Sequence, residues 1–149
     1  MSIRIREGLL AGVIAGFLTA LFFVVDYGPA NSLHGVAHWF ALDSQAGGKF
    51  VGFLLMLVLG ALFGVLFGVL VARWRLSLGR WLLAGVVTGA VWWVLVALVI
   101  GTLINHIHLD FGMFLFYSIP LLVYGLLLGS IAFQLAAREG EPVVIQRGM

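Results

Sequence analysis

The stretch FVGFLLMLVLGALFGVLFGVLVA, Phe50–Ala72, decides the fold class: it carries no charge from end to end and places glycines at 60, 64 and 68. A bilayer hydrocarbon core of about 30 Å needs roughly 20 helical residues at about 1.5 Å each, and this run is long enough. A helix apolar on every side has no face to offer water, so the segment reads as a membrane span. Three further uncharged apolar runs obey the same reading: Gly8–Val25, Trp81–Ile104 and Phe111–Ala137. Pro120 lies inside the last run, where a membrane helix tolerates it at the expense of a kink.

Composition agrees. Of 149 residues, 63% are hydrophobic and 9% are charged, whereas soluble domains carry about 25% charged residues. A water-soluble globule is excluded. The net charge of +2 is too small to point to a polyanionic partner, so nucleic acid is not expected. The absence of cysteine rules out disulfides, thiolate metal sites and cysteine nucleophiles.

Basic residues orient the spans. Arg4 and Arg6 precede the first, Arg73, Arg75 and Arg80 separate the second from the third, and Arg138 and Arg147 follow the fourth. The opposite side carries Lys49 alone. By the positive-inside rule, both termini are expected in the cytoplasm of a bacterium, with the chain in its inner membrane. Trp74 and Trp81 flank the basic turn and read as interfacial anchors. The first span is expected to be retained, because Asp26, Tyr27, Gly28 and Pro29 make a poor cleavage site.

The first span also repeats. Leu9-Leu10-Ala11-Gly12-Val13 recurs as Leu82-Leu83-Ala84-Gly85-Val86, and Gly16 is matched by Gly89. In the partner helices, Phe63–Gly68 resembles Tyr124–Gly129, at a shorter offset than the first match because the second outer loop is shorter. Two matches in the correct order indicate a duplicated helical hairpin, with residues 8–72 as one unit and 81–137 as the other. Each unit holds an even number of spans, so the copies share one orientation, and their pseudo-two-fold lies along the membrane normal. The expected fold is therefore an all-α integral membrane protein, a single domain over residues 1–149. Its four transmembrane helices form a bundle of two tandem hairpins. The duplicated hairpin, with its Ala-Gly and Tyr-Gly-x-x-x-Gly motifs, resembles small bacterial four-span membrane proteins, and the resemblance implies no particular activity.

The glycine spacing predicts how these helices meet. Gly8, Gly12 and Gly16, then Gly60, Gly64 and Gly68, then Gly85 with Gly89 and Gly125 with Gly129 all recur at every fourth position. Lipid offers no hydrophobic incentive for helices to associate, so close backbone approach over small residues must supply it. All these glycines fall toward the cytoplasmic half. The outer half carries Phe22, Phe23, Phe50, Phe53, Trp92, Trp93, Phe111, Phe114, Phe116 and Tyr117. The expectation is a bundle pinched at its inner end and splayed, or filled with rings, at its outer end.

The first outer loop, Asp26 to Lys49, exceeds a simple turn. Leu33, Val36, Ala37, Phe40 and Ala41 form one apolar stripe at helical spacing. Ser32–Asp43, with Trp39 beside the stripe, is therefore expected to be a short amphipathic helix at the outer surface, closed by Gly47-Gly48. All four histidines, His34, His38, His106 and His108, lie on this outer side with Asp26, Asp43 and Asp110. Neutral imidazole suits zinc, copper or iron, but the spacing is weakly specific. Solvated histidines are the preferred reading, with no metal assigned.

Within the spans, Thr19, Thr88, Ser118 and Tyr124 are the mid-depth polar groups, each expected to bond to its own helix. An ionisable residue at that depth would mark an ion path, and none stands there. No serine–histidine, paired-acid or phosphate-cradling pattern is present either, so the chain is not expected to be an enzyme. The preferred function is a non-catalytic accessory subunit of a larger bacterial membrane complex, such as a respiratory or photosynthetic assembly. Its partners would be the lipid bilayer and either other membrane subunits or further copies of itself. One alternative is a protein that binds a lipid, quinone or pigment, or moves a small solute, at an outer aromatic cavity. Another is a histidine-ligated metal or haem at the outer face. No cofactor is assigned.

Overall fold

The structure, a computed structural model, describes residues 3–24, 36–38, 40, 42, 47–72, 77–106, 108 and 110–138. Among these there is no strand. The chain forms α1 (Ile3–Val24), α2 (Gly48–Val71), α3 (Leu78–Trp93) and α4 (Phe111–Arg138), and α3 runs on as a π-helical segment, Val94–Ile104. Three of these helical stretches are long and apolar enough to cross a membrane: Gly48–Val71, Leu78–Ile104 and Ser118–Arg138.

The helix ends follow local backbone chemistry. At α2 the amide of Val51 donates to the Gly47 carbonyl at 2.9 Å, so the helix starts ahead of the apolar run and takes in Lys49. Ser77 is extended, with φ −142° and ψ 117°, and its carbonyl accepts the Trp81 amide that opens α3. The Asp110 carbonyl does the same for Phe114 in α4. Helix α1 begins at Ile3, ahead of the apolar run expected from Gly8, and so carries Arg6 and Glu7 on its first turns.

Antiparallel neighbours arrange the helices in a ring. Helix α1 packs on α2 and α4, and α3 packs on α4 and α2, with the α1–α2 and α3–α4 contacts the most extensive. Each helix buries a narrow inward face. On α2 that face is Gly52, Met56, Gly60, Phe63, Gly64, Phe67, Gly68 and Val71, a three-and-four alternation. Outward positions such as Val58, Leu62 and Leu83 are more than half exposed.

The outer part of the third span is not the continuous α-helix the apolar run implied. The Val94 amide still donates to Ala90 O and Val91 O, but the segment beyond it is π-helical, with bonds to the fifth residue back: the Asn105 amide donates to the Ile100 carbonyl at 3.0 Å. The Thr102 hydroxyl likewise reaches Ala97 O, at 3.1 Å. The segment stops at His106, whose φ of 54° is left-handed.

Part of the expected outer cap is described. Residues 36–38 are helical, and the amides of Phe40 and Leu42 both donate to the Ala37 carbonyl. Val36 and Ala37 are buried, Phe40 packs against the core, and His38 is exposed. This is the sidedness that the apolar stripe predicts. The rest of the Ser32–Asp43 stretch, including Leu33, His34, Trp39 and Ala41, lies outside the described residues.

Candidate functional site: a glycine-packed interior and a cleft between α1 and α4

Glycine brings the backbones together in two places. A methyl group on Gly12 would strike the Gly60 carbonyl oxygen and stand 2.7 Å from the Gly64 Cα. One on Gly16 would lie 3.0 Å from Met56 O, and one on Gly8 would stand 2.8 Å from the Gly68 Cα. In the α3–α4 pair, a Cβ on Gly85 would strike Gly125 O and stand 2.9 Å from Gly129 N, while one on Gly89 would strike Leu121 O. Every obstacle is main chain on the facing helix. Such contact allows Cα–H···O interactions and dense dispersion, which hold helices together in lipid.

These contacts obey a common register. Gly12 on α1 corresponds to Gly85 on α3, and the carbonyls they meet, at Gly60 and Gly125, correspond in turn. The Gly16–Met56 contact maps onto Gly89–Leu121 by the same two offsets. By contact, Gly60-x-x-x-Gly64 stands to α1 as Gly125-x-x-x-Gly129 stands to α3, a register one helical turn from the alignment of Phe63–Gly68 with Tyr124–Gly129. Local similarity cannot tell turns of a glycine repeat apart; contact geometry can. Under this register Gly8 corresponds to Trp81 and Gly68 to Phe133. There two rings meet edge-on, with centroids 6.1 Å apart, in place of the Gly8–Gly68 contact, while the Trp81 backbone still lies against Gly129.

Trp81 is therefore not the interfacial anchor that its place beside the basic turn suggests. It is 1% exposed and also meets Phe67 edge-on, with centroids at 5.8 Å. A tryptophan at a helix start can turn outward or inward, and only the packing of neighbouring helices decides. Trp92 is buried as well, stacked on Phe63 at 5.4 Å and edge-on to Tyr124 at 4.4 Å. Phe53 meets Phe17, and Trp93 meets Phe114, so part of the outer ring set fills space, whereas Phe50 and Phe111 point outward. The side chains of Phe22, Phe23, Phe116 and Tyr117 lie outside the described residues.

The buried hydroxyls are committed. Thr19 donates to Ala15 O and Thr88 to Ala84 O, both at 2.8 Å, and the half-buried Ser118 likewise donates to Leu115 O. Tyr124 departs from the expectation that it would bond within its own helix. Its phenol is too long and rigid to fold back, and it donates across to Gly60 O on α2 at 2.8 Å. That bond ties α4 to α2 at a point where glycine leaves the carbonyl uncovered. Glu7, at the start of α1, is 2% exposed. Its position before the apolar run hides it from a reading of the spans; its place ahead of Gly8, on the packing face, is the signal that could have found it.

His38, His106 and His108 are exposed. His34 lies outside the described residues, among which no group of three or more His, Asp or Glu could hold a metal ion. His106 has a backbone role instead, as the left-handed residue that ends the π-helical segment.

A gap in the packing lies between α1 and α4. Leu18 and Thr19 of α1 with Pro120, Val123 and Leu127 of α4 line a cleft of about 220 Å³. Its floor is buried Thr19 and Pro120, and its rim is exposed Leu18 and Val123.

No protein family, curated protein or solved structure matches the chain. The class of protein rests on fold and interior alone: a helical membrane protein whose inward faces are built for close backbone contact.

Proposed function

We propose that this chain is a non-catalytic structural or accessory subunit of a larger bacterial membrane complex, such as a respiratory or photosynthetic electron-transport assembly. In this reading it crosses the inner membrane four times, with both termini in the cytoplasm. Helix α1 is the fourth span: its 22 residues reach about 33 Å at about 1.5 Å each, and its arginines stand at the basic end. Two tandem hairpins, each closed by Gly-x-x-x-Gly faces, make the bundle, and the shared contact register supports their origin by duplication.

The observation that carries the reading is the use made of the interior. Glycine and alanine faces bring backbones into contact, rings fill the space between hairpins, and the buried hydroxyls of Thr19, Thr88 and Tyr124 are bonded to carbonyls. Among the described residues, such an interior holds a shape, and its only buried side chain of the Asp, Glu, Lys, Arg and His types is Glu7, at the start of α1. What the chain presents outward is a set of large apolar side chains on every helix, suited to lipid and to neighbouring spans.

The test is isolation of the tagged chain from its native membranes in mild detergent, followed by native gel separation and mass spectrometry. The expected result is a stoichiometric association with other membrane subunits that is lost when outward residues such as Leu62 and Leu83 are replaced by tryptophan. Recovery as a stable lone monomer from those membranes would defeat the proposal.

A further inference from the structure

The two hairpins are equivalent in register but not in filling. With α1 mapped onto α3 as Gly12 onto Gly85, and α2 onto α4 as Gly60 onto Gly125, Thr19 corresponds to Trp92. Pro120, Val123 and Leu127 correspond to Leu55, Val58 and Leu62. On the α2–α3 side, the indole of Trp92 reaches across to stack on Phe63 of α2. On the α1–α4 side, the same position holds a threonine, and the cleft of about 220 Å³ opens there.

We propose that this cleft is a binding site for one acyl chain of a membrane lipid. Its chemistry selects hydrocarbon. The lining is apolar apart from Thr19, whose hydroxyl proton is already donated to Ala15 O at 2.8 Å. A quinone or pigment head group would need a donor that the cleft does not offer. Leu18 and Val123 on the rim are 41% and 44% exposed while Thr19 on the floor is 2% exposed, so a chain enters sideways from the bilayer. Packing in a protein interior leaves few voids of this size, and an apolar one does not hold water. The site needs no partner protein, and so stands or falls separately from the accessory-subunit reading.

The experiment uses the full chain in vesicles of phosphatidylethanolamine and phosphatidylglycerol whose acyl chains carry a diazirine. Photolabelling is mapped by mass spectrometry. Labelling at Leu18 and Val123 is expected to exceed that at the more exposed Val58 and Leu62 by several-fold. Thr19→Trp, which copies the Trp92 side, should abolish that excess and leave Val58 and Leu62 unchanged. Should Thr19→Trp fail to fold, Val123→Phe narrows the cleft from its rim and should lower labelling at Leu18. Equal labelling of the cleft and of Val58 and Leu62 in the unaltered chain would overturn the proposal, as would an excess that persists in a folded Thr19→Trp protein. A cleft labelled in vesicles but protected in native membranes would also overturn it, assigning the space to a neighbouring protein.

Discussion

Replacing Gly64 with alanine tests the packing argument most sharply, because two effects of opposite sign can be separated. Alanine is favoured over glycine in a helix by about 0.8–1.0 kcal/mol, so a glycine free of contacts should gain from the change. At Gly64 the added carbon would strike Gly8 O and stand 2.7 Å from the Gly12 Cα, where ordinary contact begins at 3.4 Å. The obstacles are main chain and cannot rotate away, so α1 and α2 must move apart. A gap of about 0.5–1 Å forfeits a quarter to a half of the dispersion attraction across it. Each lost Cα–H···O contact removes about 0.5–1 kcal/mol more. Together these fall in the range of about 1–3 kcal/mol typical of overpacking, and outweigh the propensity gain. Gly79 is the control, since a Cβ there meets nothing within 4 Å. Gly64→Ala should lower stability by about 1–2 kcal/mol, and Gly64→Leu by more. Gly79→Ala should leave it unchanged or raise it by up to about 1 kcal/mol. Unfolding in detergent, followed by tryptophan fluorescence, reports directly, because Trp81, Trp92 and Trp93 are all buried. If Gly64→Ala and Gly79→Ala shift stability by the same amount in the same direction, the helices do not meet where the glycines lie.

Tyr124→Phe keeps the ring contact with Trp92 but removes the bond to Gly60 O, and should cost about 0.6–1.7 kcal/mol in the same unfolding assay. His106→Gly should be neutral or stabilising because it relieves a left-handed backbone, whereas His106→Val should destabilise; melting temperatures of the pair decide this. Replacing His34, His38, His106 and His108 together with Asn or Gln should leave folding and metal content unchanged, and a loss of bound metal or colour would restore the histidine-site reading. A reporter active only outside the cytoplasm, fused after Met149, should stay silent, and activity there would reverse the topology.

For Gly48–Val71, Leu78–Ile104 and Ser118–Arg138, the capacity to cross a membrane is a local property of length and composition, so it was legible from the residues alone. The glycine faces were legible for a related reason, since only close contact accounts for small residues at every fourth position on several helices. The inward side of the outer cap could be read from the Val36, Ala37 and Phe40 spacing. The candidate site was not legible, because each part of it depends on which helices meet and at what height. Whether Trp81 faces head groups or core, whether Tyr124 bonds within its helix or across to Gly60, and which turn of α4 matches which turn of α2 are set by long-range packing. The cleft is the clearest case. Thr19 and Trp92 look ordinary in sequence. The burial of Trp92 against Phe63 and Tyr124, and the space left beside Thr19, exist only once the helices are packed together.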